Sequence, residues 1–231
     1  MSQGGLVDIK GVKMQRHFDD ELQHLKEQLL LMGGSVETAI NKSIRALTDR
    51  NSDLAQDVIA HDEDVDQMEI SVDNVCLRLL ALYQPTAADL RFITASILIN
   101  SNLERIADQA VNIAERALEL NLQPILKPLI DIPRMSRIAE EMTMKSLDAF
   151  VQRDADKARA VRMMDNELDD LNEQVFRELL TYMMSDGSTI TRAVHLILIS
   201  RSLERIGDHA TNIAEEVIFM VEGAVVKHSA R

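Results

Sequence analysis

The chain has one cysteine, four prolines and no tryptophan in 231 residues. A single thiol, Cys76, cannot close an internal disulfide, which fits a reducing compartment. Cys76 lies in an apolar helical stretch with no histidine in a catalytic arrangement beside it, so it reads as a buried, inert side chain. Aromatics make up 3% of the residues while methionine is plentiful at 12, so the core must be built from aliphatic and Met side chains. No apolar run approaches the ~18–20 residues of a membrane span. The longest candidate, FITASILI, has eight residues. The opening MSQGGLVDIK has no secretory apolar core, so a cytoplasmic protein is expected. The formal charge of −13 argues against direct contact with nucleic acid and suits either solubility or cation binding.

What is present is helical periodicity. From His17 to Val221 apolar residues recur three and four apart, and no stretch of alternating β-branched residues suggests a sheet. Asn51-Ser52-Asp53 reads as a turn ending in a helix N-cap, and Pro85 ends one helix before another starts near Thr86. Gly33-Gly34 marks either a kink or a close approach in the first helix. Three of the four prolines fall in NLQPILKPLIDIP, which reads as a linker. The expected organisation is a tail at 1–14, a three-helix unit at 15–121, a linker at 122–133, a second three-helix unit at 134–222 and a tail at 223–231. The expected fold is therefore all-α: two tandem three-helix bundles, six long helices related by internal duplication.

The duplication is written most plainly in LERIADQAVNIAE at 103–115 and LERIGDHATNIAE at 203–215. On a helix, Leu103, Ile106, Ala110, Ile113 and Ala114 share a core side, while Glu104, Asp108, Asn112 and Glu115 share a narrow opposite stripe. A face that is merely wet constrains only polarity, yet Glu204, Asp208, Asn212 and Glu215 repeat this stripe letter for letter. A second acidic stripe carries Asp62, Asp66, Glu69 and Asp73 in the first half, and Asp165, Asp169 and Asn172 in the second.

In an antiparallel hairpin, facing residues share one midpoint. Asp62 with Asp108 and Asp66 with Glu104 share residue 85, which is Pro85. Asp165 with Asp208 and Asp169 with Glu204 share the junction of Asp186 and Gly187. Each hairpin thus sets four carboxylates at one height. Such a cluster needs neutralisation by Arg105 and Arg205, or a cation. All-oxygen donors suit hard ions, and the Glu-x-x-His pairs of a ferritin-like di-iron centre are missing from the stripes. His61 and His209 adjoin the stripes without equivalents in the other half and read as surface histidines. There is no G-x-x-x-x-G-K-[ST], no G-x-G-x-x-G and no nucleophile elbow, so no catalytic residue is assigned.

The segments QPTAADLRFITASILINSNLERIADQAVNIAE and LERIGDHATNIAEEV resemble the signature segments of the PhoU family, the phosphate-specific transport system accessory proteins. The resemblance implies two tandem three-helix bundles. It also implies carboxylate-bound iron, manganese, magnesium or zinc at Asp62, Asp66, Glu104, Asp108, Asp165, Asp169, Glu204 and Asp208, beside which Asn112 and Asn212 stand. It further implies a cytoplasmic homodimer that restrains phosphate uptake. Its partners would be the ATPase subunit of a phosphate ABC transporter and a phosphate-sensing histidine kinase, so that it meets the membrane only through partners. Ala107 stands where the second repeat has Gly207, and Asn172 replaces the acid at the place of Glu69, so a weaker or differently occupied second site is expected. Arg91, Arg105 and Arg205 are candidates for a partner surface. A metal-dependent phosphohydrolase and an inert helical module are the competing readings.

Overall fold

The computed structural model describes residues 9–224, and among them every regular element is helical. In chain order these are α1 (Ile9–Thr48), α2 (Ser52–Ala60), α3 (Asp62–Tyr83), α4 (Ala87–Asn121), α5 (Asp131–Gln152), α6 (Ala155–Ser185) and α7 (Ile190–Glu222), with one 3-10 turn at Gly187–Thr189. α2 and α3 are one rod broken at His61, so the architecture is six rods in two three-helix repeats, as the periodicity implies. α1 begins inside the expected N-terminal tail. The remaining tail residues, 1–8 and 225–231, lie outside the described residues. α5 begins at Asp131, so Pro133 sits in its first turn, where a missing N–H costs nothing. The linker therefore shortens to 122–130.

The two repeats use the same turn chemistry. Arg50 and Arg153 each take the left-handed conformation at φ 52 after α1 and α5. The next residue, Asn51 or Asp154, then caps the following helix through its side-chain oxygen. The cap is thus Asn51, two residues before the end of the expected turn. The α3–α4 and α6–α7 hairpins close at Gln84–Thr86 and Asp186–Thr189, where the stripe midpoints place them.

The repeats share one continuous core rather than two. Arg91 Nε donates to Met220 O at 3.2 Å, and His209 Nδ1 meets Asn102 Oδ1 at 3.0 Å. Pairs 91 with 220 and 102 with 209 share one midpoint, so α4 and α7 run antiparallel along the centre of the molecule. α1 continues through Gly33 and Gly34 as one uninterrupted helix. A Cβ on Gly33 would stand 2.3 Å from Leu147 Cδ1, so this glycine permits α1 to approach α5 closely. The Phe92 and Phe150 rings stack at 5.2 Å between centroids, with the Arg153 guanidinium over Phe92.

Candidate functional site

The carboxylate stripes lie on α3 and α4 in the first repeat and on α6 and α7 in the second. Leu103, Ile106, Ala110 and Ile113 are fully buried, and so are Leu203, Ile206, Ala210 and Ile213. Burial of that side turns Glu104, Asp108, Glu204 and Asp208 outward, at the helix–helix seams.

The two stripes of each hairpin face one another. Burial, and then the charges of Asp66 and Asp108, push Asp62 above the usual carboxylate range. Asp108 is raised by burial and by Asp66, with Arg105 opposing. Glu69 is raised by burial, Asp73 and Asp66. Glu104 is raised to about 7, by burial first and then by Asp108, Glu69 and Asp66. The cross-helix couplings join 62 with 108 and 66 with 104, the pairs the midpoint requires. In the second repeat Glu204 is raised by burial, Asp208 and Asp169, with Arg201 opposing. Each hairpin therefore concentrates negative charge that its own arginines offset only in part.

The donor chemistry fits a hard cation: oxygen only, several formal negative charges, and partial desolvation. As the side chains stand, no group of three or more His, Cys, Asp or Glu among the described residues converges to hold an ion. Binding at these stripes therefore calls for rotation of the carboxylates toward the seam.

The sequence-predicted neighbours separate in space. Asn112 donates through Nδ2 to Asp108 O of its own helix, at 2.9 Å. Asn212 points Nδ2 at Asn102 Oδ1 across the inter-repeat boundary, at 3.4 Å. Through these bonds Asn112 stays on its own helix and Asn212 faces the other repeat. Arg105 and Arg205 are exposed and flank His209, while Arg91 is tied to the carbonyl end of α7. His209 is not a surface residue. It is partly buried between the repeats, and burial followed by the two arginines lowers it to about 4. Cys76 is buried, which pushes its thiol up to about 12.

Sequence reasoning missed a second layer. Fully buried Asn100 donates to Glu69 O at 2.9 Å and to Asp73 Oδ1 at 3.0 Å, pinning the α3 stripe to α4. Its equivalent, Ser200, donates to Asn172 Oδ1 at 2.9 Å. The signal was available: a polar residue at the same place in two apolar runs, ILINSN and ILISRS. The substitution of Asn172 for an acid thus accompanies the substitution of Ser200 for Asn100.

Comparison with known proteins agrees with the two-repeat architecture. The PhoU domain matches residues 29–117 and 132–217, one copy for each repeat. A phosphate-specific transport system accessory protein PhoU homolog of Aquifex aeolicus is 45% identical over 208 residues, 90% of this chain and 94% of that protein. The phosphate-specific transport system accessory protein PhoU of Escherichia coli is 37% identical over 211 residues, 91% of this chain and 88% of its own. The crystal structure of PhoU from Pseudomonas aeruginosa superposes with a TM-score of 0.87 at 41% identity, covering 90% of this chain and all of that one. Two copies of the domain and full-length relatives at these identities establish that the chain belongs to the PhoU family.

Proposed function

We propose that the chain is a non-enzymatic negative regulator of phosphate uptake and of phosphate-starvation signalling. It works in the cytoplasm as a homodimeric, metal-binding adaptor between the ATPase subunit of a phosphate ABC transporter and a sensor histidine kinase. One observation carries this reading: two hairpins each hold facing carboxylates that raise one another's pKa. A surface under such repulsion favours cationic occupants. Asp62, Asp66, Glu104 and Asp108 would hold one set of ions, and Asp165, Asp169, Glu204 and Asp208 the other. A bound cation supplies positive charge that offsets the repulsion and ties α3 to α4 and α6 to α7. The printed names of the relatives, accessory proteins of the phosphate-specific transport system, support the regulatory role. No helix among the described residues is long and apolar enough to cross a membrane, consistent with action through partners.

The test is complementation. Deleting the gene should switch on a phosphate-starvation reporter in high phosphate, and the wild-type chain should silence it. An Asp66→Ala, Glu104→Ala, Asp108→Ala variant should keep its helicity and fail to silence. Phosphate release from p-nitrophenyl phosphate with Mn²⁺ would favour a phosphohydrolase instead. Full silencing by the variant would leave the stripes without a regulatory role.

A further inference from the structure

The first repeat holds a second feature beside the facing carboxylates, with which it shares Asp62. A groove of about 610 Å³ runs between α1 and α3, over α4. Its lining includes Ala39, Val65, Met68 and Ala107, and its mouth carries Leu31 and Asp64. At one end Lys42 and Asp57 neutralise each other at 2.6 Å, which leaves Asp62 and Asp64 as the unbalanced charges of the rim.

Gly34 stands in the wall of this groove. It lies in the interior of α1, without a positive φ, and a Cβ there would meet nothing within 4 Å. Neither a turn nor a close approach requires it, and glycine weakens a helix interior. What its missing side chain does is keep the groove open. In the second repeat the equivalent positions lie 103 residues further on, the spacing that relates Arg50 to Arg153. There Arg137 replaces Gly34, and Arg134 and Glu167 replace Leu31 and Asp64. Arg134 and Glu167 pair at 2.7 Å and bridge α5 to α6 across the equivalent gap. Lys145 reaches Met164 Sδ across the same gap at 3.8 Å. In the first repeat Ser35 reaches across to Met68 Sδ at 3.9 Å, and among the described residues no ion pair like that of Arg134 and Glu167 closes the mouth at Leu31 and Asp64.

We propose that the groove receives an amphipathic helix of a partner protein, with an aliphatic face entering between α1 and α3 and Lys or Arg residues set against Asp62 and Asp64. Apolar lining with a charged rim is the arrangement of helix-in-groove recognition. The acidic rim and the net charge of −13 disfavour a second copy of this chain as the occupant. The inference rests on the adaptor reading in that both need a protein partner, and Asp64, which is not one of the facing carboxylates, keeps its charge contact when Asp62 holds a cation.

The experiment measures fluorescence anisotropy of a labelled helical peptide of roughly 15 residues, with Leu at i, i+3 and i+7 and flanking Lys, against the full chain. A second peptide carries Glu in place of Lys. Wild type should prefer the Lys peptide by about tenfold or more. Gly34→Leu should lose about tenfold in affinity while keeping its helicity and losing no thermal stability, since the new side chain enters open space. A Leu31→Arg, Asp64→Glu double variant, which installs the cover of the second repeat, should lose affinity in the same direction. Equal binding by Gly34→Leu, or equal binding of both peptides, overturns the proposal. So does self-association of the wild type that Gly34→Leu abolishes. The complementation assay separates the two readings. If Gly34→Leu silences the reporter fully, the groove inference fails and the regulatory reading stands. If deletion of the gene leaves the reporter off, the regulatory reading itself fails.

Discussion

The two repeats began as copies, and their differences gather on particular faces. In the first, the rod after α1 breaks at His61, the groove beside it is open, and Ala107 occupies the α4 position that faces it. In the second, α6 runs unbroken, Arg134 and Glu167 bridge it to α5, and Gly207 allows α7 to close on α6. A Cβ on Gly207 would stand 2.4 Å from Leu168 Cδ2 and 3.5 Å from Asp165 Oδ1. The close approach draws Asp165 inward to 6% exposure, while its equivalent Asp62 stays half-buried. One repeat has therefore become tighter and more self-sufficient, and the other more open. The facing carboxylates are the feature that both retain.

The sharpest way to break this comparison is to fill the small-residue positions one at a time. Gly207→Leu should lose about 3 kcal/mol, the upper part of the range for overpacking a close contact. At roughly 2–4 °C per kcal/mol for a chain of this size, that is a fall of about 6–12 °C in melting temperature. Gly33→Leu should behave alike, because its Cβ would meet Leu147. Gly34→Leu, one residue on, should lose nothing and gain helix propensity. If all three variants melt together, the contrast between closed and open faces is wrong.

Metal titration comes next. Asn172 and Ser200 replace the Glu69 and Asn100 of the first repeat, which removes one formal charge from the second stripe. Mn²⁺ or Fe³⁺ should bind the first repeat more tightly, and the Asp66, Glu104 and Asp108 alanine variant should lose the tighter class of sites. Calorimetry that finds two equal classes would contradict this asymmetry.

His209 has no counterpart in the first repeat, where Gln109 stands. Its folded pKa of about 4 lies below its ordinary 6.5, so the folded state prefers the neutral ring. The stability this confers is present above pH 6.5 and is lost as pH falls through 6.5 toward 4. The effect should be of order 1 kcal/mol once solvent screening is allowed for. His209→Gln should flatten that part of the stability profile, measured by urea unfolding between pH 7.5 and 5. An unchanged slope would remove His209 from the inter-repeat contact. The two caps test symmetry at a similar scale. Asn51→Ala and Asp154→Ala should each lose about 1 kcal/mol, and unequal losses would show that the matching turns carry unequal load.

The outline of the molecule was legible because helical periodicity and turn residues report it directly. The stripe midpoints located both hairpins, since an antiparallel pair leaves little freedom once the facing residues are known. What stayed hidden depends on the third dimension of the packing. The break at His61 leaves no glycine or proline in the chain to mark it. A stripe on one helix does not say which neighbour covers each end, and at Asn212 that neighbour is α4 of the other repeat. His209 was misread for the same reason. Gly33 and Gly34 are adjacent and identical in sequence, and only the position of Leu147 tells them apart.

The smallest effect is also the one that tests the carboxylate seam most directly. Glu104 has a folded value of about 7 against an ordinary 4.5. The folded chain therefore takes up its proton before the unfolded chain does, and stability contributed by this group rises as pH falls from 7 toward 4.5. That direction is opposite to the one His209 imposes, so the two partly cancel in the native chain and the His209→Gln background should unmask it. Half-exposure limits the contribution to about 1 kcal/mol or less. In the cation-free protein, Glu104→Gln should remove the rise and raise stability at pH 7.5, where the ionised native carboxylate is repelled by Asp66 and Asp108. Saturating Mn²⁺ should reverse the ranking, making the wild-type chain more stable than Glu104→Gln at pH 7.5. If Glu104→Gln stays more stable in Mn²⁺, the seam holds negative charge without holding a cation.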